Sequence, residues 1–200
     1  MPQLLIATNN RGKQEELHSL LRDLKVALVT PADLGLTLEV AEDGTTYQEN
    51  AAKKARAFAQ ASGLIVLADD SGLEVDALDN APGLYSARYA PQPNATDADR
   101  RTYLLTQLQS YNRPWKARFR CVVAIGTPAG ALEFDEGICP GEIIPEERGD
   151  HGFGYDPIFL LPSQGKTMAE LSMDQKNQLS HRALAVQAAK PKLEILLARL

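Results

Sequence analysis

At 200 residues the chain is sized for a single domain, and 44% hydrophobic with 24% charged residues is the composition of a folded protein, which excludes a disordered one. A formal charge of −5, with no long block of either sign, argues against delocalised binding to a nucleic-acid backbone but leaves room for a small anion held by a few cations. Cys121 and Cys139 stand in separate apolar segments without metal-finger spacing and read as free, buried thiols of a reducing compartment.

QLLIAT (3–8) reads as a buried strand, and Gln14 to Leu24 as a helix with Leu17, Leu20, Leu21 and Leu24 on one side. The opening MPQLLIA has no basic leader region, and later apolar runs such as GLIVLA are far shorter than a membrane span, so a soluble, cytoplasmic protein is expected. KVALV (25–29) reads as a second strand, and residues 48–62 as an alanine-rich helix ended by Gly63. GLIVLADDSG (63–72) repeats the opening design, a buried strand running into a polar turn closed by glycine, and two such strand ends suggest the crevice of an open α/β sheet. A third helix is expected over 95–109, then a strand, turn and strand over 118–126, 127–130 and 131–139 with one wet face. The polar stretch 145–157 precedes a short strand at 158–162. Ser172 with Gln175 resembles a capping box, although the helix proper could begin near Ser180; Pro191 is expected to break or kink the C-terminal region, leaving 192–200 as a last helical piece.

Several clusters carry possible chemistry. Thr8-x-Asn10-x-x-Lys13 lies between a strand end and a helix start, where unpaired amides collect and anions are favoured; an ordinary asparagine-capped turn is the plainer reading. Asp69 and Asp70 follow an apolar strand, where carboxylates are costly unless bonded or coordinated. Asp70 fits a position that holds a metal or orients a water, and Asp69 one that caps amides; alternatively both form a turn before Gly72. Glu49 with Lys53 could be a surface pair, while Glu49, Lys54, Glu42 and Asp43 could face a strand-end cleft. Carboxylates with scattered histidines (His18, His151, His181) suit a hard ion such as Mg²⁺ rather than zinc. In HGFGYDP, Phe153 between glycines could stack on a planar ligand, or with Tyr155 anchor a long loop. Lys176, His181 and Arg182 would add donors on the rim of such a pocket, or mark no more than a polar helix start.

TxNxxK (8–13), ENAxxKA (49–55), ADDSGL (68–73), APGxYSARY (81–89), FGYDP (153–157) and SHR (180–182) occur in this order. Together they strongly resemble the inosine/xanthosine triphosphate pyrophosphatase family, over roughly residues 3–199. The resemblance implies a single two-lobed domain (1–200): an elongated α/β fold whose central mixed sheet is flanked by helices, with the active site in a groove between the lobes. It also implies a homodimer that needs Mg²⁺ and cuts ITP, dITP and XTP between the α and β phosphates. Thr8, Asn10 and Lys13 would hold the triphosphate with Lys54. Asp70 would be general base and metal ligand, joined at the metal by Glu49 or, less securely aligned, Glu42. Ser71 would touch the substrate. Phe153, Gly154, Tyr155 and Asp156 would line the base, and Lys176, His181 and Arg182 would read the oxygen at purine C6. Arg88 would help close the groove or support a loop across the dimer, unless its role is structural. The nearest alternative is a pyrophosphatase for modified pyrimidine or methylated nucleotides; a non-catalytic nucleotide sensor is the alternative of another class.

Overall fold

The computed structural model describes residues 1–199; Leu200, the end of the expected piece 192–200, lies outside the described residues. Its strands are β1 (Gln3–Ile6), β2 (Ala27–Val29), β3 (Ile65–Val75), β4 (Trp115–Gly126), β5 (Leu132–Ile143), β6 (Phe159–Leu161) and β7 (Lys166–Thr167). Its α-helices are α1 (Arg11–Leu20), α2 (Tyr47–Ser62), α3 (Asp97–Leu108), α4 (Met173–Leu179) and α5 (His181–Leu197). The strands make one seven-stranded sheet in the order β2-β1-β3-β4-β5-β6-β7. The expected α/β class with a mixed sheet holds: β1 pairs parallel with β2 and β3, whereas β6 pairs antiparallel with β5 and β7. The chain divides into two compact units, Met1–Asp70 with Cys121–Gly137 and the segment from His181 onward, and Ser71–Arg120 with Ile138–Ser180. Among the described residues no helix is long and apolar enough to cross a membrane.

In the first unit, Leu4, Leu5 and Ile6 are fully buried, as a parallel strand covered on both faces requires. Leu17 and Leu20 of α1, with Leu21 just after it, share one cluster with Val186, Ala189 and Leu193 of α5. Thr46 caps α2 by accepting the Glu49 N–H, and Gly63 ends it in the left-handed conformation that glycine adopts without Cβ strain, at φ +69°. Pro191 does not break α5. It removes only the bond toward the carbonyl of residue 187, while Ala189 and Leu193 on either side are fully buried, so packing holds both halves in one helix.

The N-terminus of α5 lies against β5 at Gly137, where a Cβ would meet the His181 carbonyl oxygen at 2.1 Å and the Ala185 nitrogen at 2.5 Å. Backbone cannot yield as a side-chain tip does, so Gly137→Ala is expected to destabilise the fold by about 3 kcal/mol, read as a lowered urea midpoint. An unchanged midpoint would show that α5 does not depend on this contact.

The second unit has its own core, built from Leu73, Val75, Leu104, Leu108, Phe119, Cys139, Ile158 and Phe159. The Phe119 and Phe159 rings lie 4.3 Å apart, tilted by 41°. Thr96 with Asp99 and Ser172 with Gln175 form capping boxes that start α3 and α4, so the Ser172 signal marks a real helix and α5 begins separately just after Ser180.

The largest departure from expectation is at 69–72. The sequence suggested a turn closed by Gly72, yet β3 runs unbroken to Val75. Gly72 is not among the glycines with positive φ, and the alternating Leu73 and Val75 enter the second core, so burial beyond the acidic pair keeps the strand extended.

Candidate functional site

The loop between β1 and α1 has the geometry of an anion site. Asn10 caps α1, its Oδ1 accepting the Lys13 N–H at 3.0 Å, and Thr8 Oγ1 accepts the Asn10 N–H at 3.2 Å. Gln14 ties the loop down by donating to the Thr8 carbonyl at 2.7 Å. The helix start thus brings its positive dipole end beside Lys13, whose Nζ lies 3.0 Å from Asp69 Oδ2.

Asp69 and Asp70 have different surroundings. Asp69, 1% exposed, meets Lys13 and receives Arg182 Nε and Nη2 at 3.2 Å each, and Arg182 Nη1 also bonds Glu16. Burial alone would raise the Asp69 carboxyl, but the Lys13 ammonium and the Arg182 guanidinium hold it well below the usual carboxylate range. It is an ion-paired strut between Lys13 and Arg182 rather than the expected cap of backbone amides. Asp70 accepts from Asn50 Nδ2 at 2.9 Å and lies 3.8 Å from Lys54 Nζ. Burial pushes its carboxyl up, only partly opposed by Lys54 and Asn50, and Glu42 adds repulsion. A carboxyl held in tension with its surroundings is the one suited to take up a proton.

Lys54 also bonds Glu42 Oε1 at 2.5 Å, so Glu42 and Asp70 face one ammonium. Burial works against the Lys54 charge, but Asp69, Asp70 and Glu42 raise its pKa overall. Glu49 is exposed at the start of α2, where its Oε2 accepts from the Thr45 N–H at 2.7 Å and the Thr45 hydroxyl at 2.9 Å. These bonds hold its carboxyl below the usual range. The surface pair suggested for Glu49 and Lys53 does not form that way: Lys53 reaches Asp43 at 2.5 Å. Among the described residues no three His, Cys, Asp or Glu side chains gather as a metal cluster. Glu42 and Asp70 instead offer an oxygen-only pair whose mutual repulsion a hard cation would relieve, a donor set that fits an ion carried in on phosphates rather than one held in a protein cage.

The second unit contains the candidate base end. Phe153 is half-buried. Its N–H donates to Asp156 Oδ2 at 3.0 Å, and Lys176 Nζ bonds the same oxygen at 2.6 Å while standing 5.3 Å from the Phe153 ring centre. Gly152 is required here, with φ +78° and a Cβ position 2.1 Å from Asp156 Oδ2. Tyr155 is buried and donates through its hydroxyl to the Ser86 carbonyl at 2.9 Å; it anchors the loop. Ser71 lies half-buried on β3.

Lys176, His181 and Arg182 were expected as rim donors, and all three are buried. Lys176 belongs to the second unit with Asp156, whereas His181 and Arg182 open α5 in the first. Arg182 is drawn inward because Glu16 and Asp69 supply the counter-charge that makes its burial tolerable.

The Ham1 family pattern matches residues 4–192 of this sequence. The chain belongs to the Ham1 family. It is similar to the dITP/XTP pyrophosphatase of Desulforamulus reducens, at 47% identity over 94% of this chain and 93% of the relative. The Bacillus subtilis dITP/XTP pyrophosphatase is 42% identical over 97% of this chain and 98% of its own length. Among solved structures, a HAM1 protein from Coxiella burnetii matches with a TM-score of 0.85 at 40% identity, covering 100% of both chains. The resemblance carried by the six motifs thus extends to sequence and fold.

In this Ham1 chain two polar side chains of the site escaped the sequence reading. Asn50 is 1% exposed and bridges Asp70 to the Gly44 N–H, which its Oδ1 accepts at 2.8 Å. Its signal was a polar residue among Ala51, Ala55 and Phe58 on the buried face of α2. Glu16 offered the same kind of signal, four residues before Leu20 on the buried side of α1.

Proposed function

We propose that this chain hydrolyses non-canonical purine nucleoside triphosphates (ITP, dITP and XTP) to the nucleoside monophosphate and pyrophosphate, with Mg²⁺. The observation that carries the reading is Asp70: a buried carboxyl pushed up by desolvation, oriented by Asn50, beside Lys54 and next to a strut that fixes Lys13. The names of the curated relatives support the same substrate class.

The phosphate-end chemistry is assigned to the first unit. Thr8, Asn10 and the amides opening α1 bind the triphosphate, and Lys13 and Lys54 offset the charge that builds on its oxygens. Asp70 aligns a water and takes its proton as the new oxygen–phosphorus bond forms at the α-phosphorus. The bond from that phosphorus to the bridging oxygen breaks, and pyrophosphate leaves. Asp70 with Glu42, and Glu49 from the first turn of α2, would hold Mg²⁺, which when bound polarises the phosphates and makes pyrophosphate a better leaving group. Ser71 adds a substrate contact.

Base recognition is assigned to Phe153 as the stacking face, with Gly154, Tyr155 and Asp156 around it and Lys176 and His181 as donors toward purine C6; Arg182, spent on Glu16 and Asp69, is left out of that set. A keto oxygen there accepts, whereas the amino group of adenine meets donors with another donor, so ATP is refused. A homodimer and a cytoplasmic setting complete the reading; the free, buried Cys121 and Cys139 agree with a reducing compartment.

A turnover panel of ITP, dITP, XTP, GTP, ATP and dTTP, with and without Mg²⁺, tests this. Metal-dependent pyrophosphate release largely confined to the first three is expected; guanine shares the C6 keto oxygen, so the exclusion of GTP has to come from its 2-amino group. Turnover of dTTP at the rate of ITP would transfer the chain to the modified-pyrimidine reading.

A further inference from the structure

The loop that carries Phe153 has left-handed glycines at 149, 152 and 154, so its own backbone preference does little to fix where the ring stands. The fixing comes from side chains. Both the Phe153 N–H and that of the next residue end on carboxylates: the first on Asp156, and that of Gly154 on Asp97 Oδ2 at 2.7 Å. Asp97 is the first residue of α3, distant in sequence from the loop. One turn further along α3, Arg101 Nη1 donates to the Gly154 carbonyl at 2.8 Å, and its Nε and Nη2 grip Glu147 at 2.8 and 2.9 Å. Gly154 therefore has its donor and its acceptor both taken by α3, and Arg101 joins the two ends of the loop. All of these residues lie in the second unit.

We propose that Asp97 and Arg101 are positioning residues for purine binding: by holding the Gly154 backbone they set Phe153 in the orientation that stacks on the base. This rests on the assignment of Phe153 to the base, made above. Neither residue touches the substrate, and the phosphate-end chemistry does not depend on them, so their loss weakens affinity for the nucleotide without slowing the chemical step.

The test is a double-mutant cycle on the full chain, with ITP as substrate and inorganic tripolyphosphate as a base-free competitive inhibitor. Removing a hydrogen bond to a charged acceptor is expected to raise KM for ITP about tenfold in Asp97→Ala, with kcat changed by less than about twofold. Asp97→Asn, which keeps an acceptor for the Gly154 N–H, restores most of the affinity. Arg101→Gln moves KM in the same direction and serves if Asp97→Ala folds poorly. Tripolyphosphate inhibits all variants equally, and Asp97→Ala adds nothing once Phe153→Ala is in place. An Asp97→Ala loss that adds fully to that of Phe153→Ala, or that weakens tripolyphosphate equally, would overturn the clamp. So would unchanged KM in Asp97→Ala and Arg101→Gln beside a weakened Phe153→Ala, and that result would leave base stacking intact. Unchanged KM in Phe153→Ala itself would remove base stacking and the clamp together.

Discussion

Asp70→Asn is expected to lower kcat for ITP by about a thousandfold, the scale of a lost general base. The amide is close in shape, so Asn50 and Lys54 keep their places. Burial raises the Asp70 carboxyl above its ordinary value, which means that its ionised form destabilises the fold at neutral pH. Neutral asparagine relieves that cost, and thermal stability should be unchanged or higher even as turnover collapses. A residue whose removal harms activity but not stability is placed for function. Turnover within a few fold of wild type, measured by pyrophosphate release, would take the general-base role away from Asp70.

The second large effect is expected on stability. Arg182→Met withdraws a fully buried guanidinium from Glu16 and Asp69, which remain buried. Removing one side of a buried charge network costs about 3–5 kcal/mol, or roughly 10 °C in melting temperature for a chain of this size. Glu16→Leu combined with Arg182→Met should recover part of the loss, because Asp69 still has Lys13. A melting temperature within a degree or two of wild type in Arg182→Met would show that the network does not hold α1, β3 and α5 together.

What the sequence made legible was local. Asn10 three residues before Lys13 spelled a cap, and the structure has that bond. Ser172 and Gly63 mark their helix ends through spacing alone. The apolar run of β1 showed burial because a parallel strand is covered on both faces. Misreadings came where distant residues decide. The alternative that Asp69 and Asp70 merely form a turn fails because β3 continues through them, and their partners Lys13, Asn50, Lys54 and Arg182 come from other elements. Arg182 looked like a rim donor because Glu16, far away in the chain, could not be seen to bury it. The hold of Asp97 and Arg101 on Gly154 left no trace in spacing either, since side chains on a helix reach a loop of unrelated register.

The scissile bond is tested most directly by hydrolysing ITP in ¹⁸O-labelled water with Mg²⁺ and weighing both products. Attack at the α-phosphorus puts a single ¹⁸O in IMP and leaves pyrophosphate unlabelled. Label in pyrophosphate, or release of labelled orthophosphate as the first product, would mean that water is directed at a different phosphorus and that Asp70 does not do what is proposed for it.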